Sequence, residues 1–424
     1  MMREVELLVI GGGAAGMAAA TSARKQGIED ILIIERNGYL GGVLRQCIHN
    51  GFGLHRFKED LTGVEFARKY RLMVEDMQIP YMLNTFVISM NEDRIVTVVH
   101  PDEGVIEIKA RAIVLAMGCR ERTRNNLLIP GVRGAGIITA GAAQKYLNIN
   151  GNLPGKRVVI LGSGDIGLIM ARQFIMEGAE VEAVVEIMPY SSGLPRNMKQ
   201  CIEDFDIPVY FNSTVTEIRG KQRVDSVVVS QVDDSRRPIT GTEKIIECDT
   251  LMISAGLIPE NELTEQAGID IDSATRGAIV TDDMQTSLPG VFACGNVLHV
   301  HDLVDFVSEE SEDVGKSVAR YLNGAHSNSL RTITIKSGTG VGGVVPQKVK
   351  MTDSNESISF MFRPRAKYSD VKIVAKSGDE IIYTKLGFAL TPGEMVRMNI
   401  PMDKLRSATE NELTVSIEDN KEVK

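Results

Sequence analysis

Two stretches of this chain repeat one another, and that repeat constrains the fold more than anything else in the sequence. The first begins at Leu7 and reads LLVIGGGAAGMAAATSARKQG, then ILIIER; the second begins at Arg157 and reads RVVILGSGDIGLIMARQFIMEG, then VEAVVE. In each, an apolar run of strand length meets a glycine cluster, a helix-length segment follows, and a second β-branched run ends in an acid. Gly11, Gly13, Gly16, Gly27 and Glu35 answer to Gly162, Gly164, Gly167, Gly178 and Glu186, and each acid falls 24 residues after the first glycine.

The spacing describes a phosphate site at the start of a helix. The first glycine allows the tight strand-to-helix turn, the second lets main chain approach a pyrophosphate, and the third lets helix and strand pack closely. Exposed N–H groups at Ala14 and Ala15, and at Asp165 and Ile166, together with the helix dipole, then favour an anion. The acid closing the second strand accepts hydrogen bonds from ribose hydroxyls, so each unit is expected to take an unphosphorylated adenosine ribose. One such glycine motif is weak evidence; two copies in the same strand, turn, helix, strand and acid context are much stronger.

At 424 residues the chain calls for two or three domains. Its 47 basic and 56 acidic residues, a formal charge of -9, are interspersed, which argues against a nucleic-acid surface. The five cysteines (Cys47, Cys119, Cys201, Cys248, Cys294) form no C-x-x-C or C-x4-C pair, so no redox disulfide, zinc or iron-sulfur spacing is present. Leu7 to Ala20 is apolar, but Glu4 and Glu6 stand where a signal peptide carries positive charge. No uncharged run approaches the roughly 20 residues of a membrane span. A soluble, cytoplasmic protein is the expectation.

The order of the two units resembles the flavoproteins with two dinucleotide-binding domains, the broad group of glutathione reductase, thioredoxin reductase and NADH oxidases. Ile113–Gly118 (IVLAMG) is similar to the turn closing the first half of their FAD domain, with Met117 in place of threonine. Asp249–Gly256 (DTLMISAG) resembles the equivalent turn of the nicotinamide domain, and Thr286–Asn296 (TSLPGVFACGN) the segment returning to FAD. The resemblance implies an α/β fold of two Rossmann-like domains, with residues 1–120 and 285–325 holding FAD and an inserted 121–284 holding NADH. The implied FAD contacts are Gly11, Gly13, Ala14, Ala15, Gly16, Glu35, Arg36, Gly42, Val43, Arg45, Gln46, Val87, Ala116, Met117, Gly118, Gly295, Asn296 and Val307. The implied NAD contacts are Gly162, Gly164, Asp165, Ile166, Gly167, Glu186 and Gly256. Asn296 replaces the usual ribitol-binding aspartate; an amide can still donate and accept. A helix is expected over Leu303–Leu322, capped by Asp302 or Asp305, with main chain near Val307 facing the flavin.

A narrower resemblance is carried by Gly41–Phe57 (GGVLRQCIHNGFGLHRF) and Cys119–Gln144 (CRERTRNNLLIPGVRGAGIITAGAAQ). These are similar to subunits related to opine oxidase, hydrogen cyanide synthase and dye-linked proline dehydrogenase, and to a branch associated with glycerol-3-phosphate dehydrogenase-type flavoproteins. That resemblance implies an electron-transfer subunit with a partner dehydrogenase or small electron-transfer subunit, in an oligomer.

Cys47 stands near the redox cysteines of disulfide reductases but has no nearby partner, so a buried, inert thiol is expected. His49 and the pair His299 and His301 are flavin-proximal candidates, against the alternative of ordinary loop polarity. The H-x-H offers no third ligand in view, and no metal is expected. Asp165 and Ile169 stand where glutathione reductase-like enzymes carry an aromatic gate and a glutamate for the nicotinamide amide. With Ile187 and Met188 after it, Glu186 favours NADH over NADPH, since a 2'-phosphate would be repelled.

After Gly324 short alternating runs suggest a C-terminal antiparallel β-sandwich over 326–424, with GTGVGGVVP as a flexible turn. The expected function is hydride exchange between NADH and FAD, followed by electron transfer to an acceptor. The alternatives are a flavoprotein subunit of a glycerol-3-phosphate, amino acid or opine dehydrogenase complex, and a non-catalytic FAD-binding scaffold.

Overall fold

The computed structural model describes residues 2–325, 331–353 and 356–420. The chain divides into two units, one made of Met1–Cys119 and Pro259–Lys424 and the other of Arg120–Ile258.

In the first unit, β1 (Met2–Ile10) ends in four consecutive buried residues, Leu7 to Ile10, the pattern of a strand covered on both faces. A glycine turn leads to α1 (Ala14–Lys25), whose first ten residues are all buried. The strand β2 (Ile31–Ile34) then runs parallel to β1, with Leu7 opposite Ile31. On the other side of β1 lies β3 (Gly104–Leu115), also parallel, with Leu7 opposite Ala112. Burial alternates along the first part of β3 and becomes continuous at its end. The alternating part pairs antiparallel with Ile95–His100, which pairs in turn with Phe86–Met90.

The second unit repeats the plan with β4 (Arg157–Leu161), α2 (Asp165–Met176), β5 (Glu180–Val185) and β6 (Thr250–Ile253). Its parallel sheet runs in the order Ile137–Thr139, β6, β4, β5, Val209–Tyr210. A three-stranded antiparallel sheet contributes Val215, Val227 and Val229 to the same core as Val159, Leu161 and Val185.

Back in the first unit, residues 259–284 do not belong with the insertion, which corrects the expected boundary at 284. Ala267, Ile269, Ala278 and Val280 share a core with Leu8 and Ile10, and Asn261 Nδ2 donates to the Val297 carbonyl at 2.8 Å. The strand β7 (Val291–Ala293) joins the sheet beside β3. The helix α3 (Val304–Leu322) packs on α1 so closely that a Cβ at Gly315 would stand 2.5 Å from the Ala19 carbonyl oxygen.

Neither expected aspartate caps α3. Leu303 is the N-cap and makes no side-chain cap bond. Asp305 lies in the first turn, where its carboxylate accepts the N–H groups of Gly53, His55 and Arg56 at 2.8–3.0 Å. Asp302 instead pairs with Arg363 and accepts the Met395 N–H at 2.7 Å. Both carboxylates bind distant segments, so neither serves the helix end.

The C-terminal part contains β8 (Thr332–Ser337), β9 (Val341–Val345), β10 (Lys348–Lys350), β11 (Ser357–Pro364), β12 (Tyr368–Ser377), β13 (Glu380–Leu390), β14 (Val396–Pro401) and β15 (Glu412–Asp419). They form two sheets, β10-β8-β15-β12-β13 and β9-β11-β14, around Ile333, Phe360, Phe362, Ile373, Met398 and Val415. Pairing is antiparallel except that β8 and β15 run parallel. The glycine-rich GTGVGGVVP is not a flexible turn: its Val341, Val344 and Val345 are buried in β9, and Val344 pairs with Phe362. Three cations fasten these strands to the rest of the unit. Lys350 Nζ meets Asp283 at 2.9 Å, Arg363 reaches Asp302 and the Val300 carbonyl, and Arg397 pairs with Glu309 and stacks 3.9 Å over the Phe306 ring. Among the described residues no helix is long and apolar enough to cross a membrane.

Candidate functional site

Both glycine turns have the geometry that requires glycine. Gly11 and Gly162 sit at φ 109° and 105°, and a Cβ there would stand 2.4 Å from the Ala116 oxygen and 2.1 Å from the Ser254 oxygen. Gly16 and Gly167 pack against their own turns, with a Cβ only 1.8 Å from the Gly11 oxygen and 2.7 Å from the Gly162 oxygen. The middle glycines differ. Beside Gly13 the nearest atom to an added Cβ is 3.9 Å away, and beside Gly164 it is 3.8 Å away. Gly13 and Gly164 are also the N-caps of α1 and α2, and neither helix start is capped by a side chain. Each cradle therefore combines open space at the middle glycine with N–H groups that lack intrahelical partners, an arrangement that fits a pyrophosphate.

The two acids close the cradles in the same way. Glu35 and Glu186 are each 5% exposed. One oxygen of Glu35 accepts the Gly12 N–H at 2.8 Å and the other the Asn37 N–H at 2.8 Å. Glu186 accepts the Ser163 N–H at 2.9 Å, the Ser163 hydroxyl at 2.5 Å and the Met188 N–H at 2.9 Å. Each carboxylate is thus locked at the strand end beside its glycine turn.

The other candidates fall into groups. Around the first cradle, Ala15, Gly295 and Val307 meet: a Cβ on Gly295 would stand 2.9 Å from the Ala15 Cβ and 3.2 Å from a Val307 methyl. Ala116 N–H donates to the Ile10 carbonyl at 2.9 Å, and Gly118, at φ 75°, accepts the Glu260 N–H at 3.0 Å. Met117 packs against the sheet core. Gly42, at φ 56°, would bring a Cβ within 3.1 Å of the Gly13 Cα, so the 41–46 segment lies directly over the first turn. Within that segment Val43 is 62% exposed, Arg45 stacks 3.8 Å over the Tyr39 ring, and Gln46 is half-buried. Arg36 is exposed. His49 Nδ1 lies 3.1 Å from the Asn50 carbonyl. Val87 has its side chain in the core with Val96 and Val98. In the second unit, Ile166 is half-buried at the start of α2, Ile169 packs against the core of that unit, and Gly256, at φ 94°, has open space. Asp165 braces the following segment, with Oδ1 accepting from Leu194 N–H at 2.8 Å and Asn197 Nδ2 at 2.7 Å.

None of the five cysteines is disulfide-bonded, and Cys47 is buried. Burial pushes the thiols of Cys248 and Cys294 up to about 12, and that of Cys201 up as well, so these three are poor nucleophiles.

Asn296 and the histidines after it are tied together. Asn296 Oδ1 accepts the His301 N–H at 3.0 Å. His299 and His301 lie in the irregular segment before α3, as expected of loop residues, but they are buried, with Glu310 of α3 against both. Burial raises the Glu310 carboxyl, but the two imidazoles outweigh it and hold it well below the usual range. Sequence reading missed Glu310: it lies nine positions beyond His301, and only the path of the chain into α3 brings it back. A cavity of about 540 Å³ opens beyond Glu186, lined by Ile187, Met188, Phe211, Asn212, Asp233, Asp234 and Arg236.

Residues 5–356 match the pyridine nucleotide-disulphide oxidoreductase family. The hydrogen cyanide synthase subunit HcnB of Pseudomonas protegens is 24% identical over 313 residues, covering 68% of this chain and 65% of the relative. An opine oxidase subunit of Agrobacterium tumefaciens is 26% identical over 310 residues, covering 69% and 61%. The chain thus spans a little under two thirds of the length of these relatives. Among solved structures, T. acidophilum thioredoxin reductase superposes with a TM-score of 0.63 at 24% identity, over 76% of this chain and 100% of that one, a likeness of fold.

Proposed function

Because the chain belongs to the pyridine nucleotide-disulphide oxidoreductase family, and so is an FAD-dependent NAD(P)H oxidoreductase in general class, we propose that its reductant is NADH and that it delivers electrons to a partner dehydrogenase or small electron-transfer subunit. The carrying observation is the pair of matched cradles, each with an open middle glycine and a locked acid. FAD, when bound, accepts a hydride from a reduced nicotinamide and holds two electrons for an acceptor. The chain's own residues bind and orient. Gly11, Gly13, Gly16 and the start of α1 hold the FAD pyrophosphate, Glu35 its adenosine ribose, and Gly295, Asn296 and the start of α3 the flavin end. Gly162, Gly164, Gly167 and Glu186 do the same for the nicotinamide nucleotide.

Three observations support the finer reading. A carboxylate at 186 accepts both hydroxyls of an unmodified ribose and repels a 2'-phosphate. None of the five cysteines is disulfide-bonded, and their sequence offers no C-x-x-C or C-x4-C pair of the kind that acts on a disulfide substrate. HcnB and the opine oxidase relative are, by name, subunits of larger enzymes.

Anaerobic titration of the flavin-loaded protein tests it. NADH is expected to bleach the flavin at least tenfold faster than NADPH. Glu186→Gln should raise the NADH concentration for half-maximal rate about tenfold, as expected for losing a charged hydrogen bond of about 1.5 kcal/mol. Faster reduction by NADPH would refute the role of Glu186. Bound flavin that neither nucleotide reduces, with or without partner subunits, would leave a binding scaffold.

A further inference from the structure

Three side chains that the nucleotide motifs do not use converge inside the first unit. His299 Nε2 lies 2.6 Å, and His301 Nε2 3.3 Å, from the same Glu310 oxygen, Oε2, while Oε1 accepts the Gly295 N–H at 2.7 Å. One ligand atom from each residue lies within 4.8 Å of the others. The side chains of His299, His301 and Glu310 are 7%, 1% and 1% exposed, and the two rings stand 61° apart.

His301 supplies an independent observation. Among the described residues neither of its ring nitrogens has a hydrogen-bond partner, although the side chain is almost wholly buried. Its Nε2 faces Glu310 at 3.3 Å without the geometry of a hydrogen bond. A buried polar group left unmade costs about 1–3 kcal/mol, so the arrangement calls for something that takes its lone pair. Glu310 has a matching requirement: among the described residues only the two imidazoles face its Oε2 and no lysine or arginine pairs with it, while a buried carboxylate is costly unless positive charge stands beside it. A proton shared between His299 and Glu310 would account for their 2.6 Å contact and would leave His301 unexplained.

We propose that His299, His301 and Glu310 bind one divalent transition-metal ion of the zinc class. Two imidazole nitrogens and one carboxylate oxygen are a donor set suited to that ion, and three protein ligands leave a fourth position for water. Bonds of about 2.0–2.2 Å at tetrahedral angles place donors about 3.4 Å apart. The His301 contact is already at that spacing; the His299 contact opens by roughly 0.8 Å as its hydrogen moves to Nδ1. The Gly295 N–H remains on Oε1 as the outer support that a ligating carboxylate needs. The ion would fasten the 295–301 segment to α3. No redox step is assigned to it.

Elemental analysis of the flavin-loaded, full-length protein tests this, both as purified in metal-free buffer and after refolding with zinc chloride and desalting. About one zinc per chain is expected. His301→Asn, which keeps volume and polarity, and Glu310→Gln should each lower it at least tenfold. X-ray absorption at the zinc edge should show a nitrogen and oxygen shell containing two imidazoles. Less than about a tenth of an equivalent in the unsubstituted protein under both conditions would overturn the proposal. So would full zinc content retained in a folded His301→Asn variant, or sulfur in the zinc shell. Should Glu310→Gln fail to fold, the His301→Asn and unsubstituted measurements still decide.

Discussion

The two cradles share a backbone plan but not their surroundings, and the difference separates what holds a nucleotide from what selects it. In both, an acid at a strand end is locked by main-chain N–H groups at 2.8–2.9 Å, and a middle glycine faces open space. The residue after the first glycine is Gly12 in one and Ser163 in the other. A Cβ on Gly12 would stand 2.5 Å from a Leu40 methyl, so the first turn has no room for a side chain, whereas Ser163 uses its hydroxyl to bind Glu186. Ahead of the first acid lie Arg36 and Asn37; ahead of the second lie Ile187, Met188 and a cavity with Arg236. On the proposed function, the pyrophosphate end is common property of the repeat. Discrimination is left to side chains that the repeat does not fix.

The sharpest way to break the symmetry is to damage one first glycine at a time. Gly11→Ala and Gly162→Ala each force a Cβ into a carbonyl oxygen at positive φ, and each should cost more than about 3 kcal/mol of stability. Gly11→Ala should emerge colourless; Gly162→Ala should keep flavin and lose its reduction by NADH, read by absorbance during anaerobic titration. A gentler pair tests whether the open space is for ligand. Gly13 and Gly164 have φ of -79° and -68°, which alanine adopts freely. Melting of the apoprotein should therefore be unchanged within about 0.5 kcal/mol, while affinity for FAD in Gly13→Ala, and for NADH in Gly164→Ala, should fall about 100-fold, or nearly 3 kcal/mol. Equal affinity for alanine and glycine would remove the pyrophosphate from that position.

A smaller effect concerns a third difference, for only the first unit carries a β-sandwich. At that seam Asp282 accepts the Lys350 N–H at 2.8 Å, and burial pushes its carboxyl up to about 6. A carboxyl raised in the folded state favours its neutral form. Its contribution is complete below the unfolded value near 4 and is lost as pH rises through about 6. Denaturant unfolding should show Asp282→Asn gaining about 2 kcal/mol on the native chain between pH 4 and 7. A parallel pH dependence in both proteins would clear Asp282.

The repeat, the parallel cores and the β-rich C-terminus were legible because each follows from local periodicity and glycine spacing. What stayed hidden depends on distant chain. Asp302 and Asp305 read as helix caps, yet their partners, Arg363 and the 53–56 main chain, lie about 60 and 250 positions away. The insertion ends at Ile258 because Asn261 and the apolar residues after it find partners in the first sheet, a preference no local pattern carries. GTGVGGVVP looked flexible by composition, but its three valines are spaced to bury, and Gly343, at φ 97°, supplies a bend rather than a loop. Glu310 is one of several acids in α3, and only the fold brings it against His299, His301 and the Gly295 N–H.

The clamp of Arg363 on Asp302 and the Val300 carbonyl has a consequence for how such chains diversify. A β-sandwich held at the segment that follows the 295–297 turn is not freely removable cargo: deleting it would strip Asp302 of its counter-charge and the Val300 carbonyl of its donor. Descendants that exchange this appendage for another must therefore supply a replacement cation at the same place, and the sequence around Asp302 should change together with the module that follows it.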